Sequence, residues 1–172
     1  MTDEQAMLSV TEGDTDKAAI LYERYKKSLF NFFVYRYVPY ENARDLTQQV
    51  FWRLLRYRHT YRADTVFKTW IYEIARNVWH DHAKQNPKLT ELTEIANREE
   101  ATDETSDQNE QLYAALAQLP ETYREVLLLS RFQDMSYDEI GQTLGLSVAN
   151  VKVRVFRAMQ KLRDIYFKLD EA

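Results

Sequence analysis

Apolar side chains recur at every third or fourth position through the N-terminal half of the chain, the spacing of helices that each bury one face. The pattern predicts three helices, at residues 14–38, 41–58 and 65–84. Pro39 ends the first of them, and Asp64 or Thr65 is the predicted N-cap of the third. Residues 59–64 have no apolar period and form a predicted loop. The third helix should bury Phe67, Ile71, Ile74, Ala75 and Val78.

The C-terminal part repeats the helical spacing in a second set of helices. Leucines from Leu112 onward mark two of them, separated near Pro120, which suits the first turn of a helix. Two more follow, joined by a tight turn at Gly145, with Ser147 as the predicted N-cap of the last. No strand-like alternation competes with this pattern. The sequence predicts an all-α protein that ends in a helix-turn-helix.

Composition separates these two sets of helices. Residues 86–110 hold few bulky apolar groups and many acidic and hydroxyl side chains, so they cannot bury enough surface to offset the entropy of ordering. We therefore predict two small helical domains, residues 1–85 and 111–172, joined by a flexible acidic linker at 86–110. Charge follows the same division: the net charge is −4, yet the segment from Glu91 to Glu110 alone carries −7, and the rest of the chain sums to +3.

Several classes of function are disfavoured by composition. The absence of cysteine excludes disulfides, thiolate zinc sites and a cysteine nucleophile. No basic segment precedes an apolar run, and no stretch of about 18 apolar residues occurs, which predicts a cytoplasmic protein without membrane insertion. An enzyme or metal protein built on His59, His80 and His82 is a weak alternative. Two histidines two positions apart diverge on a helix, so we expect no metal and no cofactor.

The last helix has the chemistry of a DNA-recognition helix. Residues 147–163 contain no acidic residue but carry Lys152, Arg154, Arg157, Lys161 and Arg163. The opposite stripe is apolar: Val151, Val155, Ala158, Met159 and Leu162. In such motifs the second helix lies in the major groove and offers donors to phosphates and base edges. A solvated basic helix is the alternative, and an ordinary transcriptional regulator would share this module.

Aromatic and basic residues alternate around the predicted loop and third helix. The aromatic residues are Tyr57, Tyr61, Phe67, Trp70, Tyr72 and Trp79, and the basic ones are Arg56, Arg58, Arg62, Lys68 and Arg76. Aromatic planes beside cations suit the unstacked bases of single-stranded DNA. Large rings at helical spacing also form hydrophobic cores. For Phe67, Trp70 and Tyr72 both interpretations remain open.

Three segments, taken in order, carry a resemblance to a known family: YENARDLTQQVFWRLLRYRHTYR, FKTWIYEIARNVWHDHAK and LPETYREVLLLSRFQDMSYDEIGQTLGLSVANVKVRVFRAMQKLR. They resemble conserved regions of the extracytoplasmic-function (group IV) sigma factors of the sigma-70 family, over nearly the whole chain. The resemblance implies an RNA polymerase sigma factor with no catalytic residues. Such a protein would direct promoter-specific initiation by recognising minus-35 and minus-10 elements and capturing a flipped non-template base.

The resemblance also assigns residues and partners. Contact with the clamp helices of the largest polymerase subunit falls to Asp45, Gln48, Gln49, Phe51 and Arg53. The minus-10 set is Tyr61, Arg62, Ala63, Asp64, Thr65, Val66, Phe67, Trp70, Arg76 and Asn77. The minus-35 set is Ser147, Asn150, Lys152, Val153, Arg154, Phe156, Arg157 and Lys161. The implied partners are core polymerase, through its clamp helices and flap, promoter DNA in double- and single-stranded form, and an anti-sigma factor.

Overall fold

The computed structural model describes residues 1–86 and 107–171. The chain divides into two units, Met1–Asn97 and Arg98–Ala172, and each is described by itself. Both are helical, and neither described range contains a strand, so the predicted all-α class is confirmed. Most of the predicted linker, 86–110, lies outside the described residues.

The N-terminal unit contains four α-helices. They are α1 (Asp3–Thr11), α2 (Ala18–Val34), α3 (Tyr40–Arg56) and α4 (Phe67–Gln85). Short 3-10 turns precede α2 and follow α3, at Thr15–Lys17 and Arg58–Thr60. The core lies between α2, α3 and α4, and the positions predicted for α4 are fully buried there except Ile74, which is half-buried.

Helix α1 was not predicted, although the sequence contains a signal for it. Thr2 and Gln5 form a capping box: the Gln5 amide donates to Thr2 Oγ1 at 3.1 Å, and the Thr2 amide donates to Gln5 Oε1 at 2.8 Å. Ala6, Met7 and Val10 are fully buried. The sequence analysis considered only the acidic composition of this segment and so missed a short helix whose apolar face packs on the rest of the unit.

The predicted N-cap of α4 is wrong. The helix starts at Phe67 with Val66 in the cap position, and no cap side chain accepts a hydrogen bond there. The Phe67 amide donates instead to Glu4 Oε1 of α1, at 3.1 Å. Because tertiary packing supplies the acceptor, neither Asp64 nor Thr65 is required as a local cap.

The C-terminal unit contains α5 (Asp107–Gln118), α6 (Glu121–Leu127), α7 (Tyr137–Leu144) and α8 (Val148–Glu171). A π-helical segment, Leu128–Phe132, extends α6. Helix α5 begins at Asp107, inside the segment predicted as linker. The prediction missed its first turn because residues 107–110 lack the apolar side chains that reveal a helical period. Helices α5 and α6 both pack against the long α8.

The turn between α7 and α8 has the geometry predicted from the sequence. Gly145 ends α7 at φ 71°, in the left-handed region that glycine adopts without strain. Ser147 Oγ accepts from the Asn150 amide at 3.1 Å, which confirms Ser147 as the N-cap of α8. A second close approach was not predicted: the Leu146 amide donates to the Gly141 carbonyl at 2.8 Å.

Replacing Gly141 by alanine should destabilise the C-terminal unit. A Cβ atom at Gly141 would lie 2.6 Å from the Leu146 carbonyl oxygen, so the turn must shift. Overpacking costs about 1–3 kcal/mol, and the better helix propensity of alanine offsets at most about 1 kcal/mol. The three tryptophans all lie in the N-terminal unit. In Gly141→Ala, circular dichroism should therefore show the C-terminal unit unfolding at a lower urea concentration than in the wild type. Tryptophan fluorescence, which reports on the N-terminal unit, should be unchanged.

Gly145→Asn is the matched control. A Cβ atom at Gly145 meets nothing within 4 Å, and asparagine tolerates the left-handed conformation. This variant should lose less stability than Gly141→Ala. An equal loss in both variants would show that the close approach at Gly141 has no special energetic role.

Candidate nucleic-acid interface

Helix α8 separates a docking face from an exposed face. Val151, Val155, Ala158 and Leu162 are buried against the unit, as predicted, and Met159 is half-buried. On the other side Phe156 is 63% exposed and Val153 is 47% exposed. The structure therefore places two bulky apolar groups in solvent within the basic helix, where they are available for contact with base methyl groups.

The exposed face of α8 is strongly positive. Ser147, Asn150, Lys152, Arg157 and Lys161 are exposed, and Arg154 is half-exposed. No acidic residue occurs between positions 147 and 163. Within the described part of the chain, no carboxylate forms an ion pair with Lys152, Arg154 or Arg157. This local field is suited to a polyanion despite the negative charge of the whole chain.

In the N-terminal unit, residues 61–66 form the loop that leads into α4, called loop 61–66 below. Its outer residues are Arg62, Ala63, Asp64 and Val66, all exposed, with Thr65 half-exposed. Tyr61 is only 6% exposed, and its hydroxyl donates to the Thr65 carbonyl at 2.7 Å. Its ring lies edge-on to Trp70, with 5.2 Å between centroids. Tyr61 thus supports the loop from inside.

The aromatic residues left open by the sequence divide between core and surface. Phe67 and Tyr72 are almost completely buried, and the Phe67 ring packs edge-on against Tyr25 of α2 at 5.3 Å. Trp70 is half-exposed, and Tyr57 is 47% exposed. The core interpretation therefore holds for Phe67 and Tyr72, and the exposed aromatic surface is smaller than the sequence suggested.

One face of α4 continues the exposed surface of loop 61–66. Val66, Trp70, Glu73 and Asn77 follow one another at helical spacing, and Glu73 and Asn77 are exposed. Glu73 was missed by the sequence analysis. Partial burial raises the pKa of its carboxyl group, and Arg76 opposes this shift. The face thus carries one aromatic ring, one amide and one carboxylate, which favours contact with base edges over phosphates.

A third exposed surface lies on α3. Asp45, Gln48 and Gln49 are exposed there and line a shallow concavity together with Trp52, which is 55% exposed. The Arg56 guanidinium lies 5.0 Å from the centre of the Trp52 ring. Sequence reasoning missed Trp52, although its position three and four residues after the two glutamines places it on their face.

Two residues predicted for the same surface have structural contacts of their own. Phe51 is 8% exposed and packs edge-on against Tyr22 of α2, with 4.9 Å between ring centroids. Arg53 donates to Asp81 of α4 at 2.8 Å. Both therefore help to fix α3 against its neighbours.

Neither a metal cluster nor a membrane span is found in the described ranges. No group of three or more potential ligand side chains converges there. None of the helices in these ranges has the length and apolar character needed to cross a bilayer. The fold and its exposed surfaces instead define a helical protein of the helix-turn-helix class.

Comparison with known proteins identifies the family. The family model described as Sigma-70 region 2 matches residues 21–88, and that described as Sigma-70, region 4 matches residues 109–162. The RNA polymerase sigma factor YlaC of Bacillus subtilis is 31% identical over 158 residues, which cover 86% of this chain and 91% of the relative. The ECF RNA polymerase sigma factor SigM of the same organism is 27% identical over 85% of this chain and 93% of its own length.

Solved structures share the fold. The structure of CnrH in complex with the cytosolic domain of CnrY superposes with a TM-score of 0.77, at 24% identity, over 95% of this chain and 96% of that one. The sigma factor RpoE in complex with the anti-sigma factor NepR from Bartonella quintana gives 0.67, at 18% identity, over 86% and 94%. The chain belongs to the extracytoplasmic-function sigma factors of the sigma-70 family. It is therefore a transcription initiation factor and not an enzyme.

Proposed function

We propose that this sigma factor binds core RNA polymerase in the cytoplasm and directs promoter-specific initiation. In this proposal α8 recognises the minus-35 element, and loop 61–66 with α4 recognises the minus-10 element and captures a flipped non-template base. The observation that carries the proposal is that the two units expose chemically different surfaces: a basic helix face in the C-terminal unit, and a loop beside Trp70 and Asn77 in the N-terminal unit.

Recognition of the minus-35 duplex is assigned to the exposed face of α8. The contact set is Ser147, Asn150, Lys152, Val153, Arg154, Phe156, Arg157 and Lys161. Phosphate contacts by the cations would supply most of the affinity, whereas base-edge contacts would supply specificity. The buried stripe supports this role because it fixes the orientation of the exposed side chains.

Recognition of the minus-10 element is assigned to loop 61–66 and the adjoining face of α4. Arg62, Ala63, Asp64 and Val66 are exposed around a turn in which the Thr65 amide donates to the Arg62 carbonyl at 3.0 Å. Trp70 offers an aromatic edge, and Asn77 offers an amide. Capture of a base outside the stack would offset part of the cost of unpairing it. Phe67 and Tyr61 are buried below this surface and would hold its exposed groups in position.

Core polymerase is assigned to the exposed face of α3. Asp45, Gln48 and Gln49 would contact the clamp helices, and Trp52 would be the anchor, because partly exposed tryptophans are typical hot spots of protein interfaces. The curated relatives are named as RNA polymerase sigma factors. The C-terminal unit would approach the flap, and an anti-sigma factor is a further proposed partner because a structural relative was solved with one.

The first test is a pull-down of bacterial core polymerase with this protein, followed by transcription from a library of randomised promoter-like templates. The proposal expects binding to core and initiation at defined start sites, and the selected templates would give the promoter. Binding to DNA without binding to core would instead support an ordinary regulator.

Asn77→Ala should impair promoter opening without weakening the binding of core polymerase. Asn77 is exposed on α4, and loss of one base-edge contact costs about 1–3 kcal/mol, an effect of roughly fivefold to a hundredfold. Permanganate reactivity of unpaired thymines measures the opening. Gln118→Ala removes an exposed amide from the other unit and should open like the wild type. Normal opening by both Asn77→Ala and Arg62→Ala would sink the flipped-base assignment.

Arg157→Ala should weaken recognition of the upstream duplex by holoenzyme. The side chain is exposed on α8, and a cation that contacts a phosphate contributes about one unit to the dependence of log affinity on log salt concentration. Titration of a fluorescent minus-35 duplex at several salt concentrations would measure both effects. Lys168→Ala removes an exposed cation from the far end of α8 and should change neither. Equal losses in both variants would indicate non-specific attraction.

A further inference from the structure

Helix α1 supplies the hydrogen-bond acceptor for the first backbone amide of α4. Phe67 is the first residue of α4, and its amide has no partner within that helix. Glu4 Oε1 accepts this hydrogen bond at 3.1 Å, from a position 63 residues earlier in the chain. Residues 1–20, which include all of α1, also lie before the range matched by the region 2 family model.

The carboxylate next to Glu4 anchors α1 to α2. Asp3 Oδ1 pairs with the Arg24 guanidinium at 2.7 Å, and Asp3 Oδ2 accepts from the Tyr25 hydroxyl at 2.6 Å. Burial and the Asp3 carboxylate raise the pKa of Tyr25 above its ordinary value, so the hydroxyl remains a donor. With the capping box at Thr2, these contacts hold the first turn of α1 in one place.

Loop 61–66 is thus supported at both of its ends. At its start the Tyr61 hydroxyl donates to the Thr65 carbonyl, while burial and the Glu4 carboxylate raise the pKa of Tyr61 to about 12. At its end the Phe67 amide is fixed by Glu4. Between them the Thr65 amide donates to the Arg62 carbonyl at 3.0 Å, and the Val66 carbonyl accepts from Oγ1 of the buried Thr69 at 2.8 Å. The shape of the loop therefore depends on supports that lie outside its solvent-facing residues.

We propose that Glu4 is a positioning residue that holds loop 61–66 and the first turn of α4 in the shape that receives the unpaired base. This inference rests on the proposed minus-10 function. A loop already ordered in its binding shape loses less conformational entropy when DNA arrives. Without the Glu4 contact the same exposed residues would be present but would have to be ordered during opening.

The test distinguishes positioning by Glu4 from the opposite effect, exclusion of a DNA phosphate by its negative charge. A carboxylate at a helix N-terminus occupies a place where a DNA phosphate could bind. If Glu4 acted by excluding phosphate, its removal would strengthen DNA binding. Glu4→Gln separates the two effects, because glutamine keeps an oxygen acceptor for the Phe67 amide but removes the charge.

The experiment measures promoter opening by holoenzyme assembled with wild type, Glu4→Ala, Glu4→Gln and Glu12→Ala. A hydrogen bond to a charged group is worth enough to change an equilibrium by roughly tenfold, so Glu4→Ala should open about tenfold less promoter. Glu4→Gln should recover most of this loss. Glu12→Ala removes an exposed carboxylate from the other end of α1 and should match the wild type. Affinity for core polymerase should be equal in all four.

Hydrogen exchange of the Phe67 amide, followed by NMR on the full chain, tests the contact itself. It should be faster in Glu4→Ala and restored in Glu4→Gln. Equal exchange and equal opening in wild type and Glu4→Ala would overturn the positioning role while leaving the minus-10 assignment intact. Stronger opening in both Glu4 variants would replace it with phosphate exclusion. Failure of the wild type to open any promoter would refute the proposed function and this inference with it.

Discussion

The burial of Phe67 fixes the geometry of the candidate minus-10 surface. Its ring has no solvent exposure and packs against Tyr25 of α2, while Tyr61 and Trp70 pack around it. Its amide is bound by Glu4 of α1. One residue thus links α1, α2, loop 61–66 and α4. Because these elements meet at Phe67, packing in the hydrophobic core determines the positions of the exposed groups around it.

The parts of the fold that could be predicted from the sequence are those set by interactions between residues close together in the chain. Helices α2, α3 and α4 and the turn at Gly145 follow from local patterns, namely apolar spacing and a position that needs a positive φ. The start of α4 does not, because its hydrogen-bond acceptor lies 63 residues away. The capping box of α1 was a local signal, but it stood in a segment considered only for its acidity.

The candidate surfaces were predictable in composition but not in exposure. Phe67 and Trp70 lie three residues apart on one side of α4, with their rings in contact, whereas Tyr72 packs against Phe32 of α2. Helical spacing does not separate Phe67 from Trp70; tertiary packing does, because Phe67 is buried against Tyr25 of α2 and Trp70 stays half-exposed. For the same reason Phe51 belongs to the α2–α3 interface, while Trp52, the next residue, is 55% exposed. The basic face of α8 was clearer because five cations without a carboxylate can hardly be buried.

Duplex and unpaired DNA place different demands on a protein, and the two surfaces proposed for them differ in the same way. A regular major groove suits a rigid rod, and α8 is one: it is 24 residues long, with a buried stripe along one side. An unstacked base has no fixed surroundings, so the protein must supply a shaped receptor. In the proposed function that shape would come from loop 61–66, which is held by hydrogen bonds of the buried Tyr61 and the half-buried Glu4. Rigidity in α8 is intrinsic to the helix, whereas rigidity in loop 61–66 has to be imposed by its neighbours. Under this proposal α1 contributes to DNA opening through the Phe67–Glu4 hydrogen bond and not by contacting DNA.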